Sequence, residues 1–166
     1  MNDKLQNAIK CLQIRDVYLK DNLNYTVQEF DPKYFEDIDD ILIQFKHIVS
    51  KSELLSLDED NSTINIFRTY IELGCRWVFP TIEPTNNESE DAPEVLAAIE
   101  STYVAEYLLE QETSRESLNE FALKNASYHV WPYWRELLAS NCSRLNLPKV
   151  VLPTIQVAQN YDACDD

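Results

Sequence analysis

The chain has 166 residues, 45% of them hydrophobic, with 14 Lys and Arg against 29 Asp and Glu and a formal net charge of -15. That length and apolar content suit one domain with a core of its own, and no window of ~18 or more apolar residues is available to insert into a membrane. The acidic excess disfavours nucleic acid and anionic membrane surfaces, which are bound by neutralising them with Lys and Arg. Glycine is limited to Gly74, so a P-loop, a dinucleotide fingerprint and a nucleophile elbow are all excluded, since each needs more than one.

In chain order, residues 2–11 predict a short helix; the opening MNDKLQNAIK has no apolar h-region or cleavage site, so a cytoplasmic location is expected. Gln13 to Val27, QIRDVYLKDNLNYTV, is rich in strand-forming residues and broken by Asp21 and Asn22, which predicts a bulged first strand. FEDIDD, Phe35 to Asp40, is expected to be a solvated turn. From Ile41 the residues Ile41, Ile43, Phe45, His47 and Val49 alternate with Leu42, Gln44, Lys46 and Ile48, the period of a half-buried strand that continues to Leu57. The acids at Asp58 to Asp60 start like a calcium loop, but the sixth position lacks glycine and Thr69 stands at the twelfth, so this is a turn.

A third strand follows. Phe67, Thr69, Ile71, Leu73, Cys75, Trp77 and Phe79 line its core face, with Arg68, Tyr70, Glu72 and Arg76 opposite. After a loop rich in proline and acids, PTIEPTNNESEDAP, a fourth strand places Val95, Ala97, Ile99, Tyr103, Tyr107 and Leu109 on one face; Glu100, Thr102, Val104, Glu106 and Glu110 lie on the other. Thr113 and Glu116 have the spacing of a capping box ahead of the stripe Leu118, Phe121 and Ala122. Trp134, Leu137, Leu138, Cys142 and Leu145 predict a longer amphipathic helix with Pro132 near its start or at a kink. Strands first and helices after them give an α+β domain: a four-stranded antiparallel sheet with helices packed on one face. The sheet spans 12–110, helices and a crossover segment 113–157, and a short acidic tail 158–166, all in one domain, 1–166.

Catalytic chemistry finds little support. His47 and His129 are too few for a zinc site and read as a strand residue and a helix-end residue. Cys11, Cys75, Cys142 and Cys164 form no CxxC pair and are expected to be free thiols. A small enzyme would need paired carboxylates, such as Asp16 with Asp21, yet nothing supplies them with a base or a metal. No enzyme activity and no cofactor are expected. The feature that calls for explanation is YHVWPYWRELLASNCSRLNLPKVVLP, Tyr128 to Pro153: aromatic residues around a proline, then an apolar run fenced by Pro148 and Pro153. Proline biases such a run toward an extended course over a surface, with its side chains presented to solvent.

Two segments, LQIRDVYLKD near the start and VWPYWRELLASNCSRLNLPKVVL near the end, resemble the SecB-like protein-export chaperones; the resemblance extends over most of Leu12 to Val157. It implies an ATP-independent holdase, a homotetramer built as a dimer of dimers, that binds unfolded polypeptides in grooves lined by helix, crossover and sheet. The client-binding residues it implies are Trp131, Trp134, Leu147, Val150, Val151 and Leu152, with the Trp134 helix at a subunit interface. Asp21, Val104 and Glu106 fall where the family docks its translocase motor, SecA, on the outer face of the sheet. Tyr25 stands in place of a second acidic docking residue, and a sequence ending soon after Gln159 leaves the family's C-terminal helix short or missing. An added N-terminal helix and a degenerate docking face resemble the SecB-like chaperones attached to toxin-antitoxin pairs, so the client is either a preprotein or an antitoxin. The alternative reading is an interaction scaffold with one folded partner.

Overall fold

The computed structural model describes residues 3–80 and 93–153. The expected loop between the third and fourth strands lies largely outside these residues, as do the acidic tail, Cys164 and the end of the crossover segment.

Helix α1, Asp3–Cys11, buries Leu5, Ala8 and Cys11 along one stripe, with Asp3 in its first turn and Lys10 in its last to match the helix dipole. It runs directly into β1, Leu12–Thr26. Strands β2, Leu42–Glu59, and β3, Ser62–Phe79, form a long hairpin. Asp60 and Asn61 both take positive φ, 48° and 67°, the left-handed pair that a tight two-residue hairpin turn requires. Asp60 therefore belongs to the turn expected here. Strand β4, Glu94–Leu109, completes one antiparallel sheet in the order β1-β4-β3-β2.

Strands β1 and β2 are consequently the two opposite edges, and the connection between them crosses the end of the sheet. FEDIDD is part of this crossing and not merely a solvated turn. Phe35 meets Phe30 and Phe79 edge-to-face, with ring centroids 5.2 and 5.7 Å apart, and Ile38 packs against the core. The alternation of polar and apolar residues carries no information about strand order, so this topology was not readable from it.

Bulges set the register. Strand β1 is irregular at Arg15 and Lys20, and β2 at Ser50, each shift reversing which alternate residues face the helices. A fourth irregularity pairs Val95 with Val78, so Leu96, and not Val95, joins the core. Gly74 sits where an added Cβ would lie 3.2 Å from Lys46 Cβ and 3.3 Å from Glu100 Cγ, so the only glycine allows cross-strand packing on the outer face.

Helices α2, Arg115–Lys124, and α3, Ala126–Arg144, cover the other face. The cap of α2 is Ser114, whose hydroxyl accepts from the Ser117 N–H at 3.1 Å, one residue beyond the expected Thr113. In α3, Ala126, Val130, Trp134, Leu138 and Cys142 recur every four residues and are all buried, while Pro132 lies inside the helix. They meet Phe67, Ile71, Leu73, Cys75, Trp77, Ile99, Tyr103 and Tyr107 from the sheet in one hydrophobic cluster. Among the described residues no helix is long and apolar enough to cross a membrane.

Candidate functional site

Helix α3 ends at Arg144, and Asn146 takes φ 53°, a left-handed turn that returns Leu147 to the helix with its N–H on the Cys142 carbonyl at 2.9 Å. From there residues 147–153, here the strap, run without helix or strand assignment. Their side chains alternate. Leu147 and Leu152 are buried, Val150 packs partly against the core, and Val151 is 79% exposed. The Trp131 indole N–H donates to the Pro153 carbonyl at 3.1 Å and fastens the far end of the strap.

Six residues were expected to form an apolar client surface, and the structure separates them. Trp134, 1% exposed, belongs to the buried stripe of α3; Leu147 and Leu152, 6% and 7% exposed, are inserted in the same core. These three are corrected from exposed surface to core: the sheet covers the α3 stripe that holds Trp134, and the strap turns Leu147 and Leu152 into the same cluster. For Trp134 the sheet, and not a second subunit, is the partner. Trp131 and Val150 are half-buried, and Val151 is open.

The accessible apolar surface on this side has other members. Phe45, 58% exposed, shares a face of β2 with His47, and the His47 ring lies 5.9 Å from that of Trp131. Both lie on the face for which the alternation predicts a half-buried strand. Because β2 is an edge, the helices cover β3 and β4 but leave much of its inner face open; the order of strands, absent from the alternation, was the missing signal. His47 Nε2 lies 2.7 Å from the Ser127 hydroxyl, and partial burial lowers its pKa below the usual value. A band from Phe45 through His47 and Trp131 to the strap is therefore apolar, open and edged by a strand. Such a band can bind extended, apolar chain.

The outer face differs in kind. Asp21, Val104 and Glu106 do lie on this face, opposite Thr102, Tyr18 and Asp16 in the β1–β4 ladder. Val104 is buried, however, and Glu106 is held by Arg68 and by the Tyr18 hydroxyl, which donates to it at 3.3 Å. The Asp21 carboxylate accepts from the Asn22 N–H at 2.9 Å. Around them Lys46–Glu72, Lys51–Glu53 and Arg76–Glu100 pair at 2.6 Å each. The Lys51 bond, with one from the Tyr70 hydroxyl, lowers the Glu53 pKa. Tyr25 lies on the same face, opposite Ala98. The Asp16 carboxylate accepts from the Val17 N–H at 2.8 Å. Cys11, Cys75 and Cys142 are free and buried, and no group of three or more His, Cys, Asp or Glu among the described residues could hold a metal ion.

A four-stranded antiparallel sheet with helices packed on one face has a counterpart among solved structures. The fold is SecB-like. The Mycobacterium tuberculosis Rv1957 SecB-like chaperone, solved in complex with a ChAD peptide from the Rv1956 HigA1 antitoxin, superposes with a TM-score of 0.59 over 92% of this chain and 96% of that one, at 17% sequence identity. No family model matches the chain, and no curated protein matches it in sequence.

Proposed function

We propose that the protein is an ATP-independent holdase that binds unfolded or aggregation-prone polypeptide on the band formed by Phe45, His47 and Trp131, at the margin of the strap that carries Val150 and Val151. The observation that carries this reading is the open apolar band on the helix side of a SecB-like sheet. Apolar burial is non-directional, so such a band accepts many extended sequences, and the charge of -15 favours segments with basic flanks. The comparison protein was solved with an antitoxin peptide, which supports an antitoxin-like client here over a preprotein. Motor docking at Asp21, Val104 and Glu106 has less support, because Glu106 is already engaged by Arg68 and Val104 is covered. The reading includes a single domain, a cytoplasmic location, no enzymatic activity and assembly as a dimer of dimers, whose contact surfaces would be exposed residues such as Ile14 and Leu19 on β1 and not Trp134.

The test is aggregation of a chemically unfolded reporter, followed by light scattering without nucleotide. Suppression at near-equimolar protein, with no binding of the same reporter in its native form, is the expected result. Binding of one folded partner with no effect on aggregation would instead establish the scaffold reading. Static light scattering of the protein alone tests the assembly, and a strictly monomeric mass removes that part.

A further inference from the structure

The strap is held in an unusual way for a piece of architecture. Among the described residues its one backbone-to-backbone hydrogen bond is at its entry, from the Leu147 N–H. Beyond that it is held by side-chain groups: the insertion of Leu147 and Leu152, the packing of Val150, the Cys142 thiol against the Val150 backbone, and the Trp131 indole on the Pro153 carbonyl. Opening the strap therefore breaks few backbone bonds, and its cost is chiefly the exposure of Leu147 and Leu152, which a client's own apolar side chains would offset by taking their place. These contacts, alternate aliphatic side chains pointing inward and a carbonyl met by an indole N–H, are also those by which the protein would hold a foreign extended chain.

We propose that the strap is an internal stand-in for the client: residues 147–153 occupy part of the seat beside α3, and a client segment binds by displacing them. This rests on the holdase reading above and deepens it in two respects. It names the client class, which is an extended segment free of acidic residues with aliphatic side chains two residues apart, as in Val150 and Leu152. It also supplies regulation. A tethered competitor acts at a high effective concentration, so weak segments fail to open the seat and only chains offering more apolar surface than the strap are retained. The band of Phe45, His47 and Trp131 is the part the strap leaves free, where a client would first attach.

The experiment uses the full chain and a synthetic peptide of the strap's own sequence, LPKVVLP. Binding is read from the change in tryptophan fluorescence, with Trp131→Phe as the control that should abolish the change, since Trp77 and Trp134 are buried away from the band, and in parallel from suppression of reporter aggregation. Wild type is compared with Leu152→Ala and with the milder Val150→Ala, each first checked for folding by thermal denaturation. The expected result is that a folded variant binds the peptide about tenfold more tightly than wild type does, with reporter suppression at lower protein concentration. Equal or weaker binding by a folded variant would overturn the proposal, as would loss of folding in both, because the strap would then be architecture. Wild type that fails to suppress aggregation at all would sink the holdase reading itself, so the two failures are distinguishable.

Discussion

The two faces of β3 and β4 are made from the same strands and held by different physics. Toward the helices, Phe67, Ile71, Trp77, Ile99 and Tyr107 meet the stripes of α2 and α3 with almost no exposure. Away from them, Arg68, Glu72, Arg76, Glu100 and Glu106 form cross-strand ion pairs in contact with water. Burial of large apolar groups stabilises in proportion to area, whereas an exposed pair gains little after desolvation and side-chain ordering are counted. The fold should therefore depend on the helix side, and the outer face should be tolerant of substitution.

The largest expected effect tests the helix side. Trp134→Ala removes a fully buried indole at the centre of the α3 stripe, and should cost about 3–5 kcal/mol in denaturant unfolding. A loss below about 1 kcal/mol would mean that α3 is not the main cover of the sheet and that the contrast between faces is wrong.

A smaller effect comes from protons. The His129 ring lies beside the touching rings of Tyr107 and Phe121, with Nδ1 2.9 Å from the Tyr107 hydroxyl, and burial lowers its pKa; His47 is shifted in the same direction by the same cause. A depressed pKa in the folded state means that the unfolded chain binds the proton more readily, so this contribution is fully present above about pH 6.5 and is lost as pH falls through the folded value. The thermal midpoint should drop between about pH 7.5 and 5.5, a window that lies above the titration of the carboxylates. His129→Gln should reduce that slope without abolishing it, since His47 remains. A slope unchanged by the substitution would place the sensitivity elsewhere.

How much of this was legible in the sequence divides along the same line. The core faces of β3 and β4 were legible from alternation except at the start of β4, where an irregularity puts Leu96 and not Val95 in the core, because a strand with neighbours on both sides and helices above has one environment per face. The edge strands were not. In β2 the period runs through Phe45 and His47 as if they were core, and then reverses at the Ser50 bulge. Neither edge position nor a bulge leaves a mark on periodicity. The same limit applies to the candidate site. Trp131 and Trp134 are three residues apart on one helix with similar composition around them, and only the placement of the sheet makes one half-exposed and the other core.

The smallest expected effect concerns the outer face, and a double-mutant cycle on Arg68 and Glu106 isolates it. Arg68→Ala alone should cost more than the pair is worth, because the Glu106 side chain is only 12% exposed and would keep a partly covered charge with just the Tyr18 hydroxyl beside it. Adding Glu106→Gln removes that charge and should recover part of the loss. The coupling left by the cycle is the contribution of the pair, expected at about 0.2–1 kcal/mol and diminished in about 1 M salt. A coupling above about 3 kcal/mol, indifferent to salt, would show that the ion pairs brace the sheet as firmly as Trp134 does, and the outer face would then count as part of the scaffold and not as tolerant surface.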